Sequence, residues 1–122
     1  MASLRVEDGD IAVQLSALEM LGALRWSSVR ASLAAVTAIR SSRNPWRELR
    51  GIRAPGTGIP RVISLCTARG KFGRDFNAVY VGGGAVVVEL AGAEWSRFVV
   101  STRNPERVAE ELRHRLANDR GS

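Results

Sequence analysis

Residues 75–90 read DFNAVYVGGGAVVVEL, and this stretch decides the fold class of the chain. Before and after the three glycines, apolar residues occupy every second position, as they do in antiparallel strands that bury one face. The faces predicted to be buried are Phe76, Ala78 and Tyr80 on the first strand and Val86, Val88 and Leu90 on the second. Because glycine accepts a positive φ without strain, residues 82–84 predict a hairpin that pairs the two strands.

Further strands are predicted on both sides of this stretch. In the second half of the chain, strands are predicted over residues 61–68, 75–81, 85–90 and 97–102, with turns between them. Near the N-terminus, an Asp8-Gly9 turn lies between two alternating segments and predicts a hairpin. Residues 29–39 favour a strand because several of them are β-branched, although their alanines keep a helix over residues 29–41 as an alternative.

Two helical segments are predicted in the first half. Residues 15–24 carry apolar residues at near-helical spacing, and Ser16 and Glu19 stand in the order of a capping box. An asparagine-proline start signal predicts one or two helical turns over residues 45–50, which Gly51 would close. Residues 54–60, APGTGIP, have the composition of turns.

An amphipathic helix is predicted at the end of the chain. It begins at Asn104-Pro105, which repeats the earlier start signal. Its apolar residues recur every four positions at Val108, Leu112 and Leu116. Glu111 and Arg115 have the spacing of an ion pair on the exposed side. Residues 117–122 are predicted to form a frayed tail.

These elements predict a single α+β domain over residues 1–122 in which antiparallel strands dominate. About seven short strands would form a curled sheet or a partly open barrel, closed by the C-terminal helix. A length of 122 residues suffices for one hydrophobic core.

The composition excludes several classes of protein. Hydrophobic residues make up 45% of the chain and charged residues 25%, as in ordinary globular domains. Cys66 is the single cysteine and His114 the single histidine, so an intramolecular disulfide and the usual zinc ligand sets are excluded. We therefore expect no metal and no cofactor. The first ten residues lack a signal-peptide pattern, and no apolar stretch has the length of a transmembrane helix, which predicts a cytoplasmic protein.

The positive charge is concentrated in the middle of the chain. Residues 25–74 contain eleven basic residues and one acid, Glu48, for a net charge of +10, whereas the remaining residues carry a net charge of −4. Arginine outnumbers lysine seventeen to one, which a GC-rich coding sequence would explain. That bias does not explain the loss of acids from fifty consecutive residues, and such an asymmetry points to an anionic partner.

Catalytic residues are scarce. His114 lies on the polar face of the predicted C-terminal helix, and Cys66 lies in an apolar strand where cysteine usually acts as a small hydrophobic residue. The Gly56-Thr57-Gly58 segment is glycine-rich like a phosphate-binding loop, but no Gly-Lys-Ser sequence or helix start follows it. An enzyme is therefore the weakest of the functional hypotheses.

A basic face is the strongest candidate site. It would combine Arg43, Trp46, Arg47, Arg50, Arg53, Arg69, Lys71 and Arg74. Guanidinium groups bind carboxylates and phosphates through paired hydrogen bonds, and a tryptophan adds an amphipathic ring. The competing interpretation is structural, with Arg47 or Arg50 paired to Asp75, Glu89 or Glu94.

The segments NPWRELRGIRAPGTGIP, GRDFNAVY and VVVELAGAEWSRFVVS resemble a set of short bacterial proteins of unknown function. The order of elements is similar to that of a bacterial pleckstrin-homology-like domain. In that superfold, the phosphoinositide sites of eukaryotic members use basic residues around the first hairpin loop. Here that loop consists of Glu7, Asp8, Gly9 and Asp10, whose carboxylates would repel a phosphate, so no binding residue is carried over.

Two functional hypotheses follow from the basic face. In the first, the chain is a non-catalytic interaction module that binds an acidic protein, a headgroup or another anionic partner. In the second, the same arginines track nucleic-acid phosphates while Trp46 or Phe72 stacks on a base. No known nucleic-acid-binding motif occurs in the sequence, so the second hypothesis ranks lower. An open strand edge would also permit a homodimer.

Overall fold

The computed structural model describes residues 3–7, 9–14, 29–48, 52–53, 57–59, 63–71, 73–80 and 84–120. The strands in these ranges are β1 (Ser3–Glu7), β2 (Asp10–Gln14), β3 (Val29–Ser32), β4 (Val36–Ser42), β5 (Ile52–Arg53), β6 (Thr57–Ile59), β7 (Ile63–Gly70), β8 (Gly73–Tyr80), β9 (Gly84–Leu90) and β10 (Arg97–Thr102). Two short 3-10 helices span Leu33–Ala35 and Pro45–Glu48, and the C-terminal helix spans Pro105–Arg120. The predicted α+β class with mostly antiparallel strands is confirmed. The number of strands in the described ranges is ten, larger than the predicted number of about seven.

The smaller sheet contains three antiparallel strands in the order β1-β2-β3. The predicted N-terminal hairpin is confirmed, with Glu7 and Asp10 paired across a two-residue turn. Gly9 has a φ of 76°, a left-handed conformation that glycine adopts readily. On β2, Ile11 and Val13 are fully buried.

The larger sheet has the strand order β4-β9-β10-β8-β7-β5, and β6 pairs with the remaining part of β7. All described pairs in it are antiparallel except β8 and β10, which run parallel. The predicted hairpin between β8 and β9 is therefore wrong, because β10 lies between them. Alternation of apolar residues fixes which face of a strand is buried, but it does not specify the neighbouring strand.

The ambiguous segment between residues 29 and 42 forms two strands in different sheets. Val29–Ser32 belongs to the smaller sheet and Val36–Ser42 to the larger one, with the 3-10 helix Leu33–Ala35 between them. The Ser32 hydroxyl accepts a hydrogen bond from the Ala34 amide, which caps this helix. The chain therefore crosses from one sheet to the other through this short helical turn.

The main core lies between the inner face of the larger sheet, the smaller sheet and the C-terminal helix. The two predicted strand faces are confirmed, because all six of their residues belong to this core or pack against it. Trp95 fills the end of the core, and the centre of its ring lies 5.8 Å from the ring centre of Phe76 and 6.1 Å from that of Phe98. Ala109 and Leu112 of the helix are buried in the same core.

A second buried cluster lies on the outer face of the larger sheet. It consists of Val79, Ala85, Val87 and Val99, with the half-buried Trp46 packed against it. These valines alternate along their strands with residues of the main core. Both faces of the central strands are therefore buried.

The remaining predicted elements have mixed outcomes. Residues 57–59 form strand β6 rather than a turn, because Thr57 and Ile59 pair with Leu65 and Ile63 of β7. Residues 45–48 form a 3-10 helix at the predicted position. The C-terminal helix is confirmed but extends through Arg120, into the predicted tail. The predicted helix over residues 15–24 lies outside the described part of the chain.

None of the helices described here combines the length and the apolar character needed to cross a membrane.

Gly84 provides a test of the packing between β4, β9 and the C-terminal helix. A Cβ at this position would lie 2.5 Å from the Ser42 carbonyl oxygen and 2.7 Å from Pro105 Cγ. We expect Gly84→Ala to lower the free energy of unfolding by roughly 1–3 kcal/mol, measured by urea denaturation.

The matched control is Gly92→Asn, because Gly92 has a φ of 72° and no atom within 4 Å of an added Cβ. Asparagine tolerates this left-handed conformation, so we expect a change below about 1 kcal/mol. Equal stability of Gly84→Ala and the wild-type protein would contradict the close approach of these three elements.

Candidate functional site

The structure divides the predicted basic face between the two ends of the larger sheet. We call the end at which β8 and β10 begin the lower end, and the end at which they finish the upper end. Arg43 follows β4, whose last residue pairs with Ala85, and therefore lies at the upper end. Lys71 and Arg74 lie at the lower end, beside the start of β8. The eight residues of β8 place these ends roughly 23 Å apart, too far for one compact anion to contact both.

Four of the predicted residues lie at the lower end, although the strand register places Arg53 on the opposite face of the sheet from Arg69 and Arg74. Arg69 pairs with Arg74 across β7 and β8, and Arg53 on β5 pairs with Ala68. Lys71 lies in the turn between β7 and β8 and is exposed. We call the set Arg53, Arg69, Lys71 and Arg74 the basic corner. Arg50 and the side chains of Arg47, Arg53 and Arg69 lie outside the described residues, so the basic corner is defined by backbone position.

Arg74 makes internal contacts in this corner. Its guanidinium carbon lies 4.5 Å from the centre of the Trp95 ring, and its Nη2 donates to the Glu94 carboxylate. The side chain is 24% exposed. A cation over a tryptophan face contributes about 0.5–2 kcal/mol, so Arg74 also stabilises the edge of the core.

Trp46 and Arg43 have different surroundings. Trp46 packs against the outer-face cluster and is half-buried, which leaves little of its ring for stacking on a base. The Arg43 side chain is 94% exposed, and its Nε lies 3.6 Å from Glu106. Exposed ion pairs of this kind contribute about 0–1 kcal/mol. Arg43 is therefore available to solvent but isolated from the basic corner.

A charge network that the sequence did not reveal covers part of the outer face. Arg40 Nη2 lies 2.5 Å from one Glu48 oxygen and 3.4 Å from Glu89 Oε1. Arg97 Nε lies 2.7 Å from Glu89 Oε1, an ion pair in which the N–H is not aligned as a hydrogen bond, and Arg97 Nη1 donates to the Glu48 carbonyl oxygen at 3.0 Å. The Ser42 hydroxyl donates to the second Glu48 oxygen at 3.2 Å. Glu48 therefore joins β4, β10 and its own 3-10 helix.

The network changes the proton affinities of two of its members. The hydrogen bond from Arg40 lowers the pKa of Glu48 below its usual value of 4.5, against the opposing effect of burial. The same hydrogen bond raises the pKa of Arg40. The one acid within residues 25–74 is thus engaged by Arg40 and Arg97 and does not neutralise the basic corner.

The catalytic candidates do not converge on one site. His114 is exposed on the C-terminal helix, and Asp75, predicted as an ion-pair partner for Arg47 or Arg50, is fully buried opposite Arg97 in the sheet. Cys66 pairs through its backbone with Asn77 on β8, and its side chain is not among those described. Within the described ranges, no group of three or more histidine, cysteine, aspartate or glutamate residues is arranged to hold a metal ion.

Acidification tests the role of Glu48. Because its folded-state pKa is lowered, the stabilisation is present above pH 4.5 and is lost as the pH falls through the lowered pKa. We expect Glu48→Gln to lower the free energy of unfolding at pH 7 by roughly 1–3 kcal/mol, since Arg40 and Arg97 lose a carboxylate. The difference from the wild-type protein should shrink towards pH 3 in urea denaturation series.

Glu111→Gln is the matched control, because Glu111 pairs with Arg115 at 3.9 Å on an exposed helix face. Such a pair contributes about 0.3–0.5 kcal/mol. A Glu48→Gln effect as small as this control, or one that does not depend on pH, would contradict the structural role of the network.

Comparison with known proteins assigns no family to the chain. No protein-family model, no curated protein and no solved structure matches it. The functional argument therefore rests on the residues and their arrangement.

Proposed function

We propose that the chain is a cytoplasmic, non-catalytic interaction module that binds an anionic partner through the basic corner. The observation that carries the proposal is the position of Lys71. It is exposed at the tip of the β7–β8 turn, and among the described residues no carboxylate lies within ion-pairing distance of its amine. The backbone pairs Arg69 with Arg74 and places Arg53 beside Ala68 on the adjoining strand.

The spacing of the corner suits an anion with several oxygens. Neighbouring strands lie about 4.8 Å apart, so Arg69 and Arg74 lie roughly 5 Å apart on one face of the sheet, whereas the strand register places Arg53 on the opposite face with Ala68. An acidic protein surface or a phosphorylated headgroup offers charges at such distances, and arginine binds both through paired hydrogen bonds.

The corner is also held in place before any partner arrives. Gly70 and Gly73 pair at the end of the β7–β8 ladder, and Gly73 has a φ of 116°. The Ser96 amide donates to the Arg74 carbonyl oxygen, which fixes the start of β8 to the segment before β10. A backbone fixed in this way lowers the ordering cost of binding.

A pleckstrin-homology-like fold belongs to the same proposal. Its support is the order of elements, in which a strand-rich chain ends in one helix that packs on the larger sheet. The parallel pair β8–β10 is a departure from a simple succession of hairpins. A homodimer would require a strand at the edge of a sheet, and among the described strands β1 and β4 hold such positions.

The nucleic-acid hypothesis has less support. Trp46, one of its two stacking residues, packs against the outer-face cluster, and Phe72 lies outside the described residues. The test of the proposal includes DNA as a competing ligand.

The test compares two variants with the same change in net charge. Arg53→Ser/Arg69→Ser/Lys71→Ser removes three charges from the basic corner. Arg43→Ser/Arg103→Ser/Arg107→Ser removes three exposed charges elsewhere. We expect the first variant to lose roughly tenfold or more in affinity for polyglutamate or for phosphatidylglycerol vesicles, and the second to lose less than about threefold. Circular dichroism establishes that both are folded, and binding is measured at several salt concentrations.

Three outcomes would contradict the proposal. Equal losses in the two variants would show attraction to the net charge alone. Unchanged binding in both would show that the corner is structural. Preferential binding of duplex DNA with a steep salt dependence, lost in the first variant, would establish the nucleic-acid hypothesis instead.

A further inference from the structure

We propose that a groove beside β1 binds an extended peptide, which adds to the smaller sheet as a fourth strand. The groove is a cavity of about 560 Å³ between β1, the upper ends of β9 and β10, and the C-terminal helix. This site is separate from the basic corner and does not rest on the proposed function. Ligand-binding clefts commonly have volumes of about 300–1,000 Å³.

The floor of the groove is apolar and its rim is charged. The apolar lining consists of Leu4, Val6, Val86, Val100, Val108 and Leu112. Arg5, Arg115 and Glu111 contribute to the rim, and all three are exposed. Leu4, Val6 and Val108 are only partly buried, so a ligand would cover apolar surface that the chain itself leaves open.

The backbone of β1 supplies directional hydrogen bonds along this groove. Among the described strands, β1 is at the edge of the smaller sheet and is paired on one side, with β2. Glu7 and Asp10 flank a two-residue turn and therefore form the hydrogen-bonded kind of pair. Because such pairs alternate, Leu4 and Val6 direct their N–H and C=O groups away from β2. The side chains of Leu4 and Val6 line the same groove, so one bound peptide would receive both the backbone hydrogen bonds and the apolar side-chain contacts.

These features specify a peptide rather than a compact ligand. In strand addition, main-chain hydrogen bonds supply affinity, and pockets for alternate side chains supply specificity. The peptide would place apolar residues at every second position, against the partly buried Leu4, Val6 and Val108.

The charge of the rim specifies the other positions of the peptide. Among the described residues, no carboxylate lies within ion-pairing distance of Arg5, whereas Arg115 lies 3.9 Å from Glu111. An aspartate or glutamate directly opposite Arg5 would form a cross-strand ion pair. The partner is therefore an extended, acidic segment with alternating apolar residues.

The experiment starts from a displayed library of random twelve-residue peptides selected against the full chain. We expect the enriched peptides to alternate apolar and polar residues and to carry an acid among the polar ones. A synthetic copy of one enriched peptide is then measured by fluorescence anisotropy. Methylation of those peptide amides that face β1 should weaken binding roughly tenfold or more, whereas methylation of the intervening amides should have little effect.

Two protein variants locate the binding site on β1. Leu4→Pro removes an outward N–H while leaving the ladder with β2 intact, because that N–H does not face β2. We expect this variant to lose binding and Leu4→Val to retain it. Arg5→Glu should weaken binding roughly threefold to tenfold, whereas Arg103→Glu, an equal charge change at another exposed arginine, should not. Lys71→Glu in the basic corner should also leave peptide binding unchanged.

Three results would overturn the proposal. The first is a selection that yields peptides without alternation, and the second is binding that is insensitive to backbone methylation and to Leu4→Pro. In sedimentation experiments, a dimer that Leu4→Pro dissociates would show that a second copy of the chain occupies the β1 edge.

Discussion

The insertion of β10 between β8 and β9 is the constraint on which the rest of the structure depends. Phe98 and Val100 of β10 face the main core, while Val99 and Ser101 face the outer cluster, and all four are at most 3% exposed. A strand that is paired on both sides and buried on both faces can occupy only the centre of a sheet. Every other strand of the larger sheet takes its position from this one.

Burial on both faces requires a covering layer on each side. On the inner side, the smaller sheet and the C-terminal helix cover the core, and Arg113 donates a hydrogen bond to the Ile39 carbonyl oxygen at 2.8 Å. On the outer side, the 3-10 helix Pro45–Glu48 contributes Trp46 as an apolar cover and Glu48 as a charged contact. Within the basic residues 25–74, the stretch around Trp46 and Glu48 therefore has a structural role. The residues of this stretch cover the outer face of the larger sheet. The basic corner comes later in the sequence, starting at Arg53 on β5, which pairs with β7.

The sequence predicted which residues face the core, because burial follows the alternation of apolar residues along each strand. It also predicted the C-terminal helix and the N-terminal hairpin, which depend on contacts between residues close in the chain. It failed for the pairing of β8 with β10, since the register of Phe98 opposite Phe76 depends on residues 22 positions apart. Local patterns carry no information about such pairings.

At the candidate site, too, local sequence features were predictable and contacts between distant residues were not. Counting charges along the chain identified a basic segment, and the exposed Lys71 belongs to it. The count could not show that Glu89 and Glu94, which lie beyond this segment, would neutralise Arg40 and Arg74. It also could not separate Arg43 from Lys71, because their distance follows from the direction of β4 relative to β8. The groove beside β1 had no sequence signal, as its lining comes from three distant parts of the chain.

The two surfaces proposed for binding differ in what each could contribute to recognition. The basic corner presents charge on a turn, and such charge accelerates association more than it selects a sequence. The groove presents ordered backbone groups beside apolar side chains, which select residues at alternate positions. The groove lies towards the end of β10 and the corner near its start, so the six residues of β10 separate them by roughly 20 Å. The inner face of β10 between them is buried in the main core, where Phe98 is fully buried, so a ligand in the groove does not extend along this strand to the corner. The two surfaces are therefore expected to bind their ligands independently, which is why a charge change in the corner leaves the groove unaffected.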